Sequence, residues 1–276
     1  MNIQKQENKK LDLNQLIDEE IGNFDRSTLE AKEHLSPDMW ENELLKSEVK
    51  DSLKKIANDF FEGLGLDVEI QDIVMTGSLA NYNWSEYSDI DLHIIIDFSH
   101  VDENFDLVKG FFDAKKNIWN RLHKILIRGY EVEVYVQDIA EPHTSTGIYS
   151  IITNEWLVKP EKELTDINWD DVGLKVESFI SQIDGLNELF QEERYEETLM
   201  YASRLKERIA KLRKAGLETG GEFSVENLAF KVLRRTGKIK DIIDIKNISY
   251  DKSLSVDNAK KFTDKPMTLG YGKPAY

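Results

Sequence analysis

Hydrophobic residues recur at two different periods in the first 160 residues of the chain. Between residues 49 and 64, apolar side chains are three or four positions apart, which predicts an amphipathic helix ended by Gly63 or Gly65. Runs rich in β-branched residues and strict apolar alternation predict strands instead. Strands are expected at residues 68–75, 89–96 and 130–136, and a long helix at residues 105–126.

Helical spacing dominates after Pro160, where a polar, acidic boundary begins. Helices are predicted at residues 172–190, 195–215 and 224–235; residues 216–221 interrupt them, and Ser224 caps the last. Looser helical spacing is present at residues 11–21 and 39–45, with Ser36-Pro37 as a start signal. The pattern predicts an α+β fold with a small mixed sheet and flanking helices, followed by an all-helical domain. The expected segments are a tail and helical extension (1–45, of which 1–10 are disordered), an α+β domain (46–160), a helical domain (161–250) and an irregular tail (251–276).

Composition narrows the class of protein. The 276 residues carry a net charge of −16 and no cysteine, which excludes disulfides and thiolate metal sites and favours a cytoplasmic protein. No apolar run approaches the roughly 20 residues of a membrane span, and the polar N-terminus is not a secretory signal. The acidic balance argues against avid binding to nucleic acid. Residues 203–250, with twelve basic and six acidic side chains, are locally basic and keep an anionic partner open.

Two carboxylates at the start of an apolar strand are the strongest chemical signal. Gly77-Ser78 closes one predicted strand, and Asp89-Ile90-Asp91 opens the next after ten residues. Alternate residues of a strand share a face, so Asp89 and Asp91 point the same way. Because adjacent carboxylates repel each other unless a cation lies between them, this arrangement favours a divalent-metal site. A hydrogen-bonded turn before a strand is the structural alternative.

This motif resembles the signature of the polymerase beta-type nucleotidyltransferase superfamily, over roughly residues 47–140. Members are similar in carrying a third acid on an adjacent strand, and Val132-Glu133-Val134 fits that place. Glu131 shares the face of Glu133 and is the alternative. A closer likeness, through residues 129–138, is to uncharacterised nucleotidyltransferase-like proteins of large tailed bacteriophages. The basic residue that many relatives carry shortly after Gly-Ser is missing here, where Leu79 to Tyr82 follow.

The resemblance implies a two-metal mechanism. Asp89, Asp91 and Glu133 would hold two Mg²⁺ ions, for which Mn²⁺ can substitute, and Gly77 and Ser78 would hold the NTP phosphates at a short helix. Further candidates around the nucleotide are Tyr82, Asn83, Tyr87, Ser88, His93 and residues 143–146, for each of which packing is the alternative. Helical residues that could contact the triphosphate or the acceptor are Arg204, Lys206, Lys211, Arg213, Lys214, Arg234 and Arg235, although ion pairs along the helices explain many of them equally well.

The expected function is Mg²⁺-dependent transfer of an NMP from an NTP, ATP among them, to a hydroxyl acceptor with release of pyrophosphate. The acceptor stays open between a small molecule, a protein and RNA, with recognition expected in the helical half, and the oligomeric state stays open too. The alternative is a catalytically silent nucleotide-binding or interaction protein that has kept the fold. An alarmone synthetase would also use two metal ions, but the spacing between Gly77-Ser78 and Asp89-Ile90-Asp91 does not support this class.

Overall fold

The computed structural model describes residues 24–143, 145–162 and 166–256. Residues 25–166 form one compact unit, and the residues from 167 onward, together with Phe24, belong to a second. The first unit combines a mixed sheet with two helices. Its strands are β1 (Trp40–Glu41), β2 (Leu44–Leu45), β3 (Asp72–Thr76), β4 (Ile90–Ile96), β5 (Leu126–Ile127), β6 (Tyr130–Asp138), β7 (Ile148–Ser150) and β8 (Glu155–Val158). Its helices are α1 (Ser47–Glu62) and α2 (Phe105–Leu122), and short 3-10 helices lie at Arg26–Leu29, Ser78–Ala80 and Phe98–His100.

Six of the strands form one sheet in the order β5-β6-β4-β3-β7-β8. The neighbours β4 and β6 are parallel, and all other neighbouring strands of this sheet are antiparallel. A parallel pair needs a crossover connection, and α2 supplies it between β4 and β6. The two motif strands are therefore neighbours in space although some forty residues separate them in the chain.

The main core lies on one face of this sheet. Ile90, Leu92 and Ile94 of β4 are fully buried in it, together with Val134 of β6 and with side chains of α1 and α2. The intervening residues of β4 and β6 point to the opposite face, where several polar side chains are half-buried. The alternation of burial separates a packed face from a polar face that is free to carry chemistry.

The segment at residues 39–45 corrects a prediction. Instead of a helix it forms the β1–β2 hairpin, and its turn residues Asn42 and Glu43 have positive φ angles of 49° and 62°. Tertiary contacts decide this. The Trp40 ring stacks on Trp156 at 4.6 Å, and Trp40 Nε1 donates a 2.7 Å hydrogen bond to the Leu79 carbonyl.

In the described part of the second unit, the α-helices are α3 (Trp169–Gln191), α4 (Tyr195–Gly220), α5 (Val225–Arg235) and α6 (Lys238–Leu254), and a 3-10 helix lies at Gly221–Phe223. Ser224 caps α5 as predicted, accepting from the Asn227 amide at 3.3 Å. Several boundaries differ from the predicted ones. The helix predicted at residues 172–190 spans residues 169–191, α4 continues to Gly220, and residues 251–254 belong to α6 rather than to an irregular tail. The predicted tails at residues 1–10 and 257–276 and the predicted helix at residues 11–21 lie outside the described residues.

The α+β class predicted from the sequence is confirmed, with a mixed sheet first and a helical region after it. In the part of the chain that the structure describes, no helix has the length and apolar character needed to cross a membrane.

Candidate active site

Asp91 and Glu133 are direct neighbours across the parallel β4–β6 pair. The register joins Ile90 to Val132 and Asp91 to Glu133, so both acidic side chains lie on the polar face of the sheet, and both are half-buried. Like charges directly opposite each other destabilise a sheet. A cation bound between the two carboxylates would relieve this repulsion.

Glu131, the alternative third acid, has a different partner. It pairs with Leu126 of the short edge strand β5, whereas Glu133 is the residue opposite Asp91. Both glutamates are half-buried and lie on the same face of β6. The register brings Glu133 nearer than Glu131 to Asp91.

Gly77 lies against the Asp91 carboxylate. A Cβ atom added to Gly77 would lie 1.8 Å from Asp91 Oδ2, and the residue has φ 77° and ψ −164°, a conformation that is essentially restricted to glycine. Thr76, immediately before it, pairs with Asp91 across β3 and β4. Glycine is thus required here both by the backbone and by the space that the carboxylate occupies.

Ser78 and Ser88 join the two halves of the motif. Ser78 Oγ donates a 2.7 Å hydrogen bond to Ser88 Oγ, which also accepts from the Ser85 amide at 3.0 Å. Ser88 directly precedes Asp89, so this contact ties the Gly-Ser turn to the start of the acidic strand. The helix after Gly77 is a 3-10 turn of only three residues, Ser78–Ala80, so a helix dipole contributes little there and any phosphate contact would rest on individual amides and hydroxyls.

Tyr135 is close to all three predicted acids. Its hydroxyl donates a 2.5 Å hydrogen bond to Glu133 Oε2. Burial raises the pKa of the Tyr135 hydroxyl well above its ordinary value, and the hydrogen bond to Glu133 and the charges of Glu133, Asp91 and Asp89 raise it further. All three carboxylates therefore act on one hydroxyl, which stays protonated and remains a donor.

His93 packs beside Tyr135 on the same face. The two rings stack at 4.9 Å with an interplanar angle of 21°, and His93 Nδ1 lies 3.0 Å from Gln137 Oε1. Burial lowers the pKa of His93 to about 4, although its hydrogen bond with Gln137 acts in the opposite direction. His93 is therefore a packed, hydrogen-bonded and stacked histidine, which is the structural alternative to a role in the site.

The side chains predicted to border the nucleotide have mixed surroundings. The Tyr82 ring packs against the main core, and Asn83 is buried. Tyr87 is 55% exposed. Asn81 Nδ2 donates to Thr146 Oγ1 at 2.5 Å, which links the segment after the Gly-Ser turn to the predicted contact loop at residues 143–146. Tyr82 and Asn83 thus have a packing role, while Tyr87 presents a ring to solvent.

The basic candidates lie in the helical unit, and ordinary surface contacts account for several of them. Lys211 pairs with Glu207 and Lys214 with Glu218, both one turn apart on exposed surface. The Arg213 guanidinium lies 4.5 Å from the centre of the Phe230 ring. Nothing in these contacts marks a phosphate site.

These observations agree with a match between the chain and a family model. Residues 51–158 match the model of the nucleotidyltransferase domain. The segment is a polymerase beta-type nucleotidyltransferase domain. It begins in α1 and ends with β8, so the candidate acids Asp89, Asp91, Glu131 and Glu133 all lie inside it. No solved structure matches the chain.

Tyr135 and Lys116 of this nucleotidyltransferase domain were not among the site residues predicted from the sequence. Lys116 of α2 lies 4.6 Å from the centre of the Tyr135 ring and pairs with Asp113 at 2.9 Å. Lys116 thus brings a cation to the polar face of the sheet. The chain has no basic residue directly after Gly77-Ser78. The sequence did indicate the place of Tyr135, since it follows Glu133 by two positions on a predicted strand and so shares its face. No such indication exists for Lys116, because only the packing of α2 on β6 decides where it lies.

Proposed function

We propose that the protein transfers a nucleoside monophosphate from an NTP to a hydroxyl acceptor and releases pyrophosphate. The observation that carries the proposal is the in-register pair of Asp91 and Glu133, together with a glycine backbone that contacts the Asp91 carboxylate. In the NTP-transfer reaction the protein mainly positions the substrates and neutralises charge. A site built from carboxylates and a closely approaching backbone suits that task.

The donor set fits Mg²⁺. The nucleotidyltransferase domain family is typically Mg²⁺-dependent. Within residues 24–143, 145–162 and 166–256, no three His, Cys, Asp or Glu side chains form a ready-made metal cluster. Mg²⁺ is usually held by one or two carboxylates plus substrate phosphates. A site in which the NTP phosphates complete the coordination therefore suits this ion. Asp89, Asp91 and Glu133 would hold the metal, with Mn²⁺ as a substitute. When bound, the metal would supply charge neutralisation at the phosphates and activation of the acceptor hydroxyl.

The residues next to the acids have proposed roles of their own. Gly77 leaves room for the Asp91 carboxylate, and its main chain would be free to approach the phosphates of the NTP. The Ser78–Ser88 hydrogen bond holds the turn and the acidic strand in one arrangement. To donate a hydrogen bond to a phosphate oxygen, the Ser78 hydroxyl would have to give up its hydrogen bond to Ser88 Oγ. Tyr82 would border the nucleotide, and the exposed ring of Tyr87, next to Ser88 in the chain, would offer it a stacking surface.

The experiment is incubation of the full chain with each α-³²P-labelled NTP, Mg²⁺ and a cell extract, followed by separation of small molecules, proteins and RNA. Transfer of label to one of these classes, absent in Asp89→Asn and Asp91→Asn, is the expected result. We expect each substitution to lower transfer by about 100-fold or more, because an electrostatic contact to the reacting groups is lost. Asp106→Asn, an exposed change on α2, is the control with full activity.

Two results would contradict the proposal. Full transfer by Asp91→Asn would exclude the assigned site. Binding of NTP by the wild type, without pyrophosphate release under Mg²⁺ or Mn²⁺ and with no labelled product in any fraction, would identify a catalytically silent nucleotide-binding protein instead.

A further inference from the structure

Among the described residues, Tyr135 is the one whose side chain donates a hydrogen bond to Glu133. It donates to Oε2 at 2.5 Å from two positions further along the same strand. A glutamate has three rotatable side-chain bonds, so its carboxylate has no single position unless a neighbour holds it. The hydrogen bond occupies Oε2 and leaves Oε1 for another partner.

Tyr135 is itself held from several sides. Its ring stacks on His93 at 4.9 Å, and His93 is in turn fixed by Gln137 at 3.0 Å. The Lys116 ammonium lies 4.6 Å from the centre of the same ring. His93 and Tyr135 are also paired in the β4–β6 register, two positions beyond Asp91 and Glu133. The ring therefore has little freedom to turn its hydroxyl away from Glu133.

We propose that Tyr135 is a positioning residue, which orients the Glu133 carboxylate toward Asp91 through its hydroxyl while the His93 stack fixes its ring. The inference rests on the proposed function, since it concerns the same carboxylate site. Tyr135 contacts neither substrate nor metal in this role. It acts through Glu133 alone, and outer partners of this kind typically contribute 10- to 100-fold to metal affinity.

The test measures Mn²⁺ affinity by electron paramagnetic resonance, with a non-hydrolysable NTP analogue present. It compares the full-length wild type with Tyr135→Phe, Glu133→Gln and the double variant. Phenylalanine keeps the ring and its stack on His93 and removes only the hydroxyl. Tyr130→Phe is the matched control, since it removes a hydroxyl from the same strand on the opposite, core-facing side, where Tyr130 is buried. Melting temperatures of all variants accompany the titrations.

Tyr135→Phe is expected to weaken Mn²⁺ binding about tenfold in the wild-type background and to have no effect in the Glu133→Gln background. Tyr130→Phe is expected to bind Mn²⁺ like the wild type. Unchanged affinity in Tyr135→Phe would overturn the proposal, and so would an equal loss in both backgrounds, because the residue would then not act through Glu133.

The outcome also separates this proposal from the proposed function. A wild type that binds no Mn²⁺ with the analogue overturns both the positioning role and the metal site. A wild type that binds Mn²⁺ but labels no acceptor overturns the proposed transfer, while the coupling between Tyr135 and Glu133 still decides the positioning role on affinity alone.

Discussion

Gly77 and Asp91 are in contact across the β3–β4 turn region, with the Asp91 carboxylate in the space where a side chain on residue 77 would lie. A Cβ on residue 77 would be 1.8 Å from Asp91 Oδ2 and 2.9 Å from Cγ. Real Cβ atoms do not approach that closely, so either the carboxylate or the turn has to move if Gly77 is replaced. The glycine and the aspartate, fourteen residues apart, thus form one structural unit of the candidate site.

Replacement of Gly77 by alanine is therefore expected to damage both the fold and the site. The backbone conformation alone costs about 1–3 kcal/mol for a residue with a side chain, and displacement of Asp91 adds loss of Mn²⁺ affinity. Gly129→Ala is the control, because Gly129 also has a positive φ, 91°, but has nothing within 4 Å of its Cβ position. Urea unfolding and Mn²⁺ titration should show a loss of metal affinity in Gly77→Ala only; the same loss in both variants would refute the steric argument.

Glutamine substitutions at the two glutamates of β6 decide which one is the third carboxylate. Glu133→Gln is expected to lower nucleotidyl transfer about 100-fold, because Glu133 is the residue opposite Asp91. Glu131→Gln, on the same face and equally half-buried, is expected to retain activity within a few-fold. Initial rates with the labelled NTP make the comparison. The reverse order of the two effects would assign the role to Glu131.

The two serines of the motif are expected to differ in their effect on stability. Ser88→Ala removes the acceptor of two donors, the Ser78 hydroxyl and the Ser85 amide, whereas Ser78→Ala leaves Ser88 with the Ser85 amide. We expect a loss of about 1–2 kcal/mol for Ser88→Ala and less than about 1 kcal/mol for Ser78→Ala. The free energies of unfolding in urea provide the measurement. An equal loss for both would mean that the Ser85 amide finds another acceptor.

The stability of the helical unit is expected to depend on acid through Glu222. Burial opposes ionisation of Glu222, but the ion pair with Lys231 at 2.8 Å, the Arg213 charge and an Asn227 hydrogen bond outweigh it and hold its pKa below the ordinary 4.5. An acid whose pKa is lowered by folding contributes stability above its unfolded value, and this contribution is lost as the pH falls below about 4.5.

Glu222→Gln tests this dependence. Removal of the Glu222 charge leaves Lys231, whose side chain is only 13% exposed, without its ion-pair partner. The substitution should lower the free energy of unfolding by about 2–4 kcal/mol at pH 7. The difference from the wild type should shrink as the pH falls from 4.5 to 3. Glu207→Gln, from the exposed pair with Lys211, is the control and should change stability little. Unfolding of the full chain, followed by helical circular dichroism at each pH, gives the answer. A pH-independent difference would mean that Glu222 is not charged in the folded protein.

The sequence by itself determined the elements with a strong period and the chemistry attached to them. Alternation placed Asp89 and Asp91 at the head of an apolar strand and Glu133 within another, and the Gly-Ser turn stood before the first. These features depend on local residue order, which is why they could be predicted and why the α+β class and the nucleotidyltransferase domain are confirmed. The roles of the individual acids stay predictions.

Only the tertiary structure decided which strands are neighbours and in what register. The pairing of Asp91 with Glu133 depends on the crossover through α2, and the contact of Gly77 with Asp91 depends on the β3–β4 turn. Residues 39–45 became a hairpin rather than a helix because Trp40 stacks on Trp156, more than a hundred residues away. The contact between Tyr135 and Lys116 likewise depends on packing, in this case of α2 against β6. Contacts between distant segments are set by packing energy that local sequence does not carry, so they lay beyond prediction from the chain alone.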